Sequence, residues 1–226
     1  MKPDLHRGPH VVTIDFNGPS RSSYDGSNMF STPVPATVAF RSAIPEDCAD
    51  LALLADMATR RLTSFLWGQV ASPGQSSFEV GRNIIRNDTS HYMHQKNWRV
   101  AVDRGVLIGA LNGYVIPEPT GSPPASEVIK PLNALKDVAA GTWYIAVASI
   151  YPEHQGKGLG KSLLSEAENI ARSAGKDRLT LMVGSFNARA YGLYAKSGFT
   201  EWERRPFHPF PGSDEPGEWI LMVKDL

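Results

Sequence analysis

The chain has 226 residues, of which 42% are hydrophobic and 20% charged, so it can bury a sizeable core as one domain of ordinary size or at most two small ones. Its 23 basic and 23 acidic residues balance, which gives no electrostatic footprint for nucleic acid or an anionic membrane. A single cysteine excludes an intrachain disulfide, and no Cys/His cluster has the spacing of a zinc site. Residues 1–17 lack the apolar run of a signal peptide, so we expect a cytoplasmic protein with no membrane partner.

Residues 1–36 form the first segment, which is rich in proline, glycine, serine and asparagine. Its one apolar island, residues 11–14, ends at Asn17-Gly18, a dipeptide typical of turns. Because this composition cannot fill an apolar interior, we predict an N-terminal arm outside the folded domain, which begins at residue 37. The island could add a strand to a second copy of the chain, so the arm is a candidate for homodimer formation.

The first half of the domain has the signals of a strand, two helices and a hairpin, in the order residues 37–40, 45–62, 78–87 and 98–116. Pro45 stands in the first turn of the first helix. The apolar face of that helix comprises Leu51, Leu54, Ala55, Ala58 and Leu62. The hairpin strands flank the turn Asp103-Arg104-Gly105. A proline-rich connection then extends to residue 141, and in it we expect only a helical turn near residues 132–138.

The second half alternates strands and helices. Residues 142–150 are nearly all apolar, which is typical of a strand covered on both faces and therefore central in its sheet. The strongest helix begins at Leu159, has apolar residues at helical spacing and ends before Gly175, where a capping glycine belongs. A strand, a helix and two more strands follow, over residues 178–183, 187–196, 199–204 and 218–223.

The run Gln155-Gly156-Lys157-Gly158-Leu159-Gly160 lies between the buried strand and the strongest helix. Its glycines let the backbone approach a ligand, and the helix that follows presents unpaired N–H groups and the positive end of its dipole. The run therefore predicts a site for the pyrophosphate of an anionic cofactor. Two familiar nucleotide motifs do not fit: a Walker A loop needs glycine at position 155, and a Rossmann fingerprint needs it at position 161 or 163.

The stretch from Ile150 to Gly160 resembles the acyl-CoA signature of the GNAT superfamily of N-acetyltransferases, in which Arg or Gln opens an x-x-Gly-x-Gly/Ala loop after a strand. A second stretch is similar to the family's other signature, an Asn-led helix with a tyrosine four residues before Gly-Phe. Its matching residues are Asn187, Ala190, Leu193, Tyr194, Lys196, Gly198 and Phe199. The two signatures stand in the family's order, and the resemblance extends over residues 37–226.

The resemblance implies an α/β (α+β) fold with a mixed, mostly antiparallel central sheet that is flanked by helices and splayed between its fourth and fifth strands. These strands are residues 142–150 and 178–183. It implies acetyl-CoA as cosubstrate in the gap, and no metal. The implied contacts of acetyl-CoA are pantetheine pairing with the backbone of Ala148, Ser149 and Ile150, pyrophosphate binding by the amides of Gln155, Gly156, Lys157, Gly158, Leu159 and Gly160, and positioning by Asn187.

Tyr194 matches the family's general acid, which protonates the departing CoA thiolate, and a phenol is still protonated at pH 7. From helical spacing alone, Tyr194 fits a packing role better than a catalytic one. The pattern around Tyr194 favours the catalytic role, and we assign the packing role to Tyr191. The reaction also needs a base to deprotonate the amine, but residues 146–149 of the fourth strand supply no glutamate. The base is therefore unassigned.

The candidates for the base are Glu79, His91 and His94, but each is more typical of an ordinary surface or loop position. The two histidines would share a face if they lay on a helix, yet no third metal ligand is nearby in sequence. Cys48 has no motif around it and is interpreted as a packing residue of the first helix.

The sequence thus predicts an acyltransferase that moves the acetyl group of acetyl-CoA to a primary amine by direct attack in a ternary complex. The acceptor, a small-molecule amine or a protein amine, stays open. One alternative is an acyl-CoA-sensing module without turnover, which would release no CoA thiol with any amine. Another is a nucleotide-phosphate enzyme, which would bind ATP tightly and acetyl-CoA not at all.

Overall fold

The computed structural model describes residues 38–119, 126–213 and 216–226; the predicted arm lies outside them. The seven strands in these ranges are β1 (Val38–Ser42), β2 (Trp98–Asp103), β3 (Val106–Val115), β4 (Trp143–Ile150), β5 (Arg178–Gly184), β6 (Thr200–Pro206) and β7 (Glu218–Asp225). The six α-helices of the same ranges are α1 (Cys48–Ala58), α2 (Leu62–Gln69), α3 (Ser77–Asn87), α4 (Lys130–Val138), α5 (Leu159–Ser173) and α6 (Ala188–Lys196).

All seven strands join one sheet in the order β1-β2-β3-β4-β5-β7-β6. The pair β4–β5 is parallel, and the other pairs are antiparallel. The mixed, mostly antiparallel sheet predicted from the sequence is therefore confirmed. The apolar strand β4 lies at its centre, as its continuous apolar run predicts.

The parallel pair β4–β5 is short. Trp143, Tyr144 and Ile145 pair with β5, and beyond Ile145 the two strands separate. At the same point β4 contains a bulge: Ile145 lies opposite Gly113 and Val147 opposite Asn112, so Ala146 is the extra residue. We call the separation of β4 from β5 the fork. It confirms the predicted splay of the sheet.

The β2–β3 hairpin is also as predicted. Asp103 pairs with Val106, which leaves a two-residue turn. Both turn residues are left-handed, with φ of 48° at Arg104 and 84° at Gly105, the geometry of the tight turns that match strand twist.

Helices cover both faces of the sheet. On one face α1 buries Leu51, Leu54 and Ala55 completely, in a cluster that also holds the buried thiol of Cys48. On the other face α5 packs its apolar stripe against β4 and β5, with Leu163, Leu164, Ala167 and Ala171 buried. The helices α1 and α5 therefore support β4 from opposite faces of the sheet.

The predicted first helix is wrong at its end. α1 stops at Ala58, and Leu62 opens the separate helix α2 instead of extending the face of α1. Arg60 and Arg61 turn the chain with φ of 51° and 73°. Because the step from Ala58 to Leu62 keeps helical spacing, the apolar pattern contains no sign of this break.

Two further expectations change. The connection between β3 and β4 contains a nine-residue helix, α4, with Leu135 fully buried, where only one turn was predicted. His91 and His94 lie in turns after the end of α3, so they share no helix face.

Among the described residues, no three or more His, Cys, Asp or Glu side chains are grouped to hold a metal ion. None of the helices in the described ranges is long and apolar enough to cross a membrane.

Candidate active site

A cleft of about 420 Å³ opens at the fork. Its walls come from β4, the loop after β4, the first turns of α5, and α6. It brings together nine of the eleven predicted site residues: Ala148, Ser149, Ile150, Gln155, Gly156, Gly158, Gly160, Asn187 and Tyr194. The two signatures therefore face each other across one cavity, although about thirty residues separate them in sequence.

The loop after β4 presents backbone to the cleft. Gly156 and Gly158 have φ of 77° and 83°, a conformation that a residue with a Cβ rarely adopts. Among the described residues, no acceptor pairs with the backbone N–H groups of residues 156–160. We call these free N–H groups, beside the start of the fifteen-residue helix α5, the cradle; their arrangement is of the kind that suits an anion.

Lys157 and Leu159 are the two predicted residues whose side chains do not line the cleft. The ammonium of Lys157 donates to the carbonyl oxygen of Glu153 at 3.0 Å. The side chain of Leu159 is buried against Ala101 and Ile108, which anchors the start of α5 to the β2–β3 hairpin. Any contact of these two residues with a ligand would therefore come from their backbone.

Gln155 and Arg189 connect the two sides of the cleft. The Gln155 amide donates through Nε2 to the carbonyl oxygen of Ile150 at 2.9 Å. Its Oε1 accepts a hydrogen bond from Nη1 of Arg189 on α6, also at 2.9 Å. With Lys161 on α5, Arg189 places a second cation at the cradle, and both line the cleft.

Asn187 and Tyr194 bring the second signature to the cleft. Asn187 caps α6, since its Oδ1 accepts a hydrogen bond from the N–H of Ala190 at 3.2 Å. The ring of Tyr194 packs 6.0 Å from that of Phe199, and burial raises the pKa of Tyr194 to about 12. The phenol is thus fully protonated at neutral pH. Tyr191 lies off the cleft and donates its hydroxyl hydrogen to Glu201 at 2.7 Å.

The three base candidates are engaged locally. Glu79 completes the capping box of α3, because its Oε2 accepts from the N–H of Ser76 at 2.7 Å. Nδ1 of His91 and Nδ1 of His94 each accept a backbone N–H, at 3.1 and 3.2 Å. None of the three lines the cleft.

Eight residues of the cleft wall were not among the site residues predicted from the sequence. They are Met57 and Ala58 of α1, Lys161, Leu163 and Leu164 of α5, and Arg189, Ala190 and Leu193 of α6. Ala190 and Leu193 could have been found, since Ala190 stands four residues before Tyr194 and three before Leu193 on the helix. Met57 and Ala58 carry no local signal, because only the packing of α1 over β4 brings them to the cleft.

The chain is similar to a known family and, over parts of its length, to known proteins. Residues 64–199 match the model of the acetyltransferase (GNAT) family. A mycothiol acetyltransferase of Beutenbergia cavernae is 46% identical over 66 residues, which is 29% of this chain and 22% of that protein. An L-methionine sulfoximine/L-methionine sulfone acetyltransferase of Salmonella typhimurium is 40% identical over 57 residues, 25% of this chain and 33% of that protein. The chain thus spans a third or less of these two relatives.

A longer match is an uncharacterized N-acetyltransferase of Bacillus subtilis, 26% identical over 64% of this chain and 78% of its own length. Among solved structures, one acetyltransferase superposes with a TM-score of 0.56 at 20% identity, covering 83% of this chain and 98% of its own. A putative acetyltransferase from Salmonella typhimurium, solved with its cofactor acetyl-CoA, gives 0.54 at 19% identity, covering 84% and 95%. The family match, the shared fold and the cleft agree: this chain belongs to the acetyltransferase (GNAT) family.

Proposed function

We propose that the protein is an N-acetyltransferase that transfers the acetyl group of acetyl-CoA directly to a primary amine. The observation that carries the proposal is the cleft at the fork, where a cradle of free backbone N–H groups and a protonated tyrosine line one cavity. The cradle suits a pyrophosphate, and the tyrosine suits a leaving thiolate. Membership of the family supports the same pairing.

In this proposal the cofactor lies along β4. Beyond Ile145 the backbone of β4 has no partner on β5, so Ala148, Ser149 and Ile150 can pair with the amide groups of pantetheine. The N–H groups of residues 156–160 take the pyrophosphate, and Lys161 and Arg189 add positive charge. Only Nη1 of Arg189 bonds Gln155, so the other N–H groups of the guanidinium can donate to a phosphate.

The chemical step needs two proton movements. The neutral amine nitrogen attacks the thioester carbonyl, a C–N bond forms, and the C–S bond breaks to give acetylated amine and CoA thiolate. Tyr194 donates its hydroxyl hydrogen to the sulfur. The proton of the attacking nitrogen leaves to a base, which we leave unassigned because Glu79, His91 and His94 are engaged elsewhere.

Small-molecule amines are the first acceptors to test. Two of the relatives carry the names of enzymes that acetylate small molecules, although they share only a short segment with this chain. Protein amines are the second class. No observation on the described residues favours the alternative of a non-catalytic acyl-CoA sensor.

The test measures release of CoA thiol from acetyl-CoA with a panel of amines, together with calorimetric titration of acetyl-CoA and of ATP. We expect thiol release that depends on the amine, and binding of acetyl-CoA without binding of ATP. Acetyl-CoA binding without thiol release from any amine would support the sensor instead. Tight ATP binding without acetyl-CoA binding would contradict both readings.

A further inference from the structure

Ser149 of β4 carries a hydroxyl that has no hydrogen-bond partner within the described ranges. The residue is only 8% exposed, and it lines the cleft. Among the described side chains, Oδ1 of Asn112 is the one polar atom that is both unpartnered and sealed from solvent. The Ser149 hydroxyl is therefore open to solvent, and the opening that it borders is the cleft. A ligand in the cleft can supply the partner that this buried hydroxyl lacks.

The side chain of Ser149 lies on the α1 face of the sheet. Side chains alternate along a strand, and Val147, two residues earlier, belongs to the apolar cluster that α1 covers. Ala110, the pair of Ser149 on β3, belongs to the same cluster. Ala148 and Ile150 pack instead in the cluster of α5. The hydroxyl thus faces the side of β4 that is opposite to α5.

Helix α1 runs back along β4, from the cradle end towards the closed end of the fork. At its start Asp50 accepts the hydroxyl hydrogen of Tyr151, which lies just beyond β4, at 2.5 Å. Just after its end, Leu62 packs in the same apolar cluster as Ala146, the bulge residue where β4 and β5 separate. The last turn of α1 therefore lies towards the closed end of the fork, away from the loop that forms the cradle.

That last turn adds two apolar residues to the cleft, Met57 and Ala58. Met57 is 40% exposed, so other residues of the chain cover its side chain only in part. We call Met57, Ala58 and Ser149 the α1 wall. It contains no charged group, whereas Lys161 and Arg189, on α5 and α6, bring two cations to the cleft. None of the described residues that line the cleft is acidic.

We infer that the α1 wall is the acceptor site, and that the acceptor is a monoamine with an apolar group next to its nitrogen. The inference rests on the proposed function and names the substrate class of the same site. With pantetheine along the open edge of β4 and pyrophosphate in the cradle, the α1 side is left for the second substrate. Ser149 accepts a hydrogen bond from the amine N–H, and Met57 and Ala58 cover the apolar group.

Charge separates this acceptor class from the others. Each further ammonium group of a polyamine or a lysine-rich peptide would lose hydration in the cleft and be repelled by Lys161 and Arg189. It would find no carboxylate among the described residues there. A phenylalkyl or alkyl amine has one nitrogen, which is neutral when it attacks. The Ser149 hydroxyl orients that nitrogen and does not keep its proton, so the base stays unassigned.

The first test compares phenethylamine with spermidine in the release of CoA thiol, with rates corrected for the fraction of neutral amine. We expect kcat/KM to be roughly tenfold higher for phenethylamine. Met57→Glu puts a carboxylate in the α1 wall and should lower this ratio by roughly tenfold. Leu53→Glu is the matched control, since Leu53 lies one turn earlier on α1, is 45% exposed and lies off the cleft. Equal efficiency with both amines in the wild type, or the same ratio in the two variants, would overturn the inference.

The second test removes the hydroxyl. Ser149→Ala should lower kcat/KM for phenethylamine by roughly three- to tenfold, as expected for one lost hydrogen bond, and should leave acetyl-CoA affinity unchanged because the backbone of β4 remains. Ser149→Thr keeps a hydroxyl and should retain most of the activity. Ser213→Ala removes another buried serine hydroxyl, off the cleft, and should change neither quantity. Wild-type kcat/KM in Ser149→Ala, or an equal loss in Ser213→Ala, would contradict the role of this hydroxyl.

A third measurement needs no turnover: phenethylamine is titrated calorimetrically into the CoA-bound wild type, Ser149→Ala and Ser213→Ala proteins. Binding that is weaker in Ser149→Ala alone would support the α1 wall as the acceptor site. Binding of equal strength in all three proteins, or no binding to any of them, would overturn it. Weaker binding in Ser149→Ala, together with no thiol release from any amine, would contradict the proposed function and support this inference.

Discussion

Tyr194 lines the cleft and is protonated at neutral pH, and its hydroxyl can be removed without removing its ring. We expect Tyr194→Phe to keep its packing on Phe199 and its acetyl-CoA affinity, and to lower turnover by about ten- to a thousandfold. Turnover under saturating acetyl-CoA with a competent amine is the measurement. A variant that turns over at the wild-type rate would make Tyr194 a packing residue and place the donor elsewhere.

The raised pKa of Tyr194 also predicts a pH effect on stability. Burial raises this pKa to about 12 in the folded chain, whereas an unfolded tyrosine titrates near pH 10. The contribution of the buried neutral phenol is therefore complete below about pH 10 and is lost as the pH rises towards 12. We expect denaturation midpoints to fall less steeply in Tyr194→Phe than in the wild type over that window, whereas a parallel fall would show that the phenol titrates normally.

Gly156 offers a test of the cradle with a matched control. Gly156 and Gly175 both have positive φ, 77° and 69°, and a methyl group on either would meet nothing within 4 Å. Alanine at either position should therefore cost similar stability, about 1 kcal/mol. Gly156→Ala should weaken acetyl-CoA binding, and Gly175→Ala, at the far end of α5, should not. Equal affinities in calorimetric titration would remove the basis for placing the pyrophosphate in this loop.

Larger side chains at Gly158 and Gly160 should also weaken acetyl-CoA binding. Valine at either position should weaken acetyl-CoA binding more than it destabilises the fold, because the side chain would intrude on the cradle. The structure distinguishes the two: Gly158 has φ of 83°, whereas a methyl group on Gly160 would lie 2.9 Å from Cδ2 of Leu193, itself a cleft residue. Gly160→Val is thus the variant with less backbone strain. A folded Gly160→Val protein with unchanged affinity would contradict this placement.

At the scale of elements, the contact between α2 and α3 depends on a glycine. Helix propensity alone favours Gly81→Ala by about 1 kcal/mol. A methyl group at Gly81, however, would lie 2.4 Å from the buried ring of Trp67, and overpacking of this kind costs about 1–3 kcal/mol. We expect a net loss of stability in urea denaturation. Gly192→Ala in α6, where a methyl group meets nothing within 4 Å, should instead stabilise; the same sign for both would contradict the packing argument.

What the sequence predicted depends on how local each signal is. The buried strand β4, the stripe of α5 and the cradle glycines are contiguous patterns, and they predicted a central strand, its supporting helix and an anion site. The fork and most of the cleft residues were implied only by the resemblance to the GNAT superfamily. The break at Arg60 and Arg61 has no such pattern, since arginine is not a turn residue and the apolar spacing continues to Leu62. The contribution of α1 to the cleft was likewise invisible, because it follows from packing over β4.

At the scale of the whole molecule, the role of residues 1–36 stays a prediction. The core clusters of the described residues are built from elements between β1 and β7, so we expect a shortened chain that begins at Thr37 to fold and to bind acetyl-CoA as a monomer. Calorimetry and sedimentation of the shortened and full chains would test this. A shortened chain that fails to fold would make the arm part of the domain, and a full-length dimer that becomes monomeric would assign it to association.

The short pairing of β4 with β5 has a mechanical consequence. The sheet has two parts, β1 to β4 and β5-β7-β6, which are joined by only three residue pairs between β4 and β5. A buried hydrogen bond of 2.7 Å between the hydroxyls of Thr142 and Thr180 lies beside these pairs. A ligand that contacts both β4 and α6 would add contacts between the two parts of the sheet where β4 and β5 do not pair. At a hundred times its Kd it would add about 2.7 kcal/mol to the resistance against unfolding. Hydrogen exchange along β5 should then slow together with that of the loop after β4, because the bound ligand would hold the two parts of the sheet together.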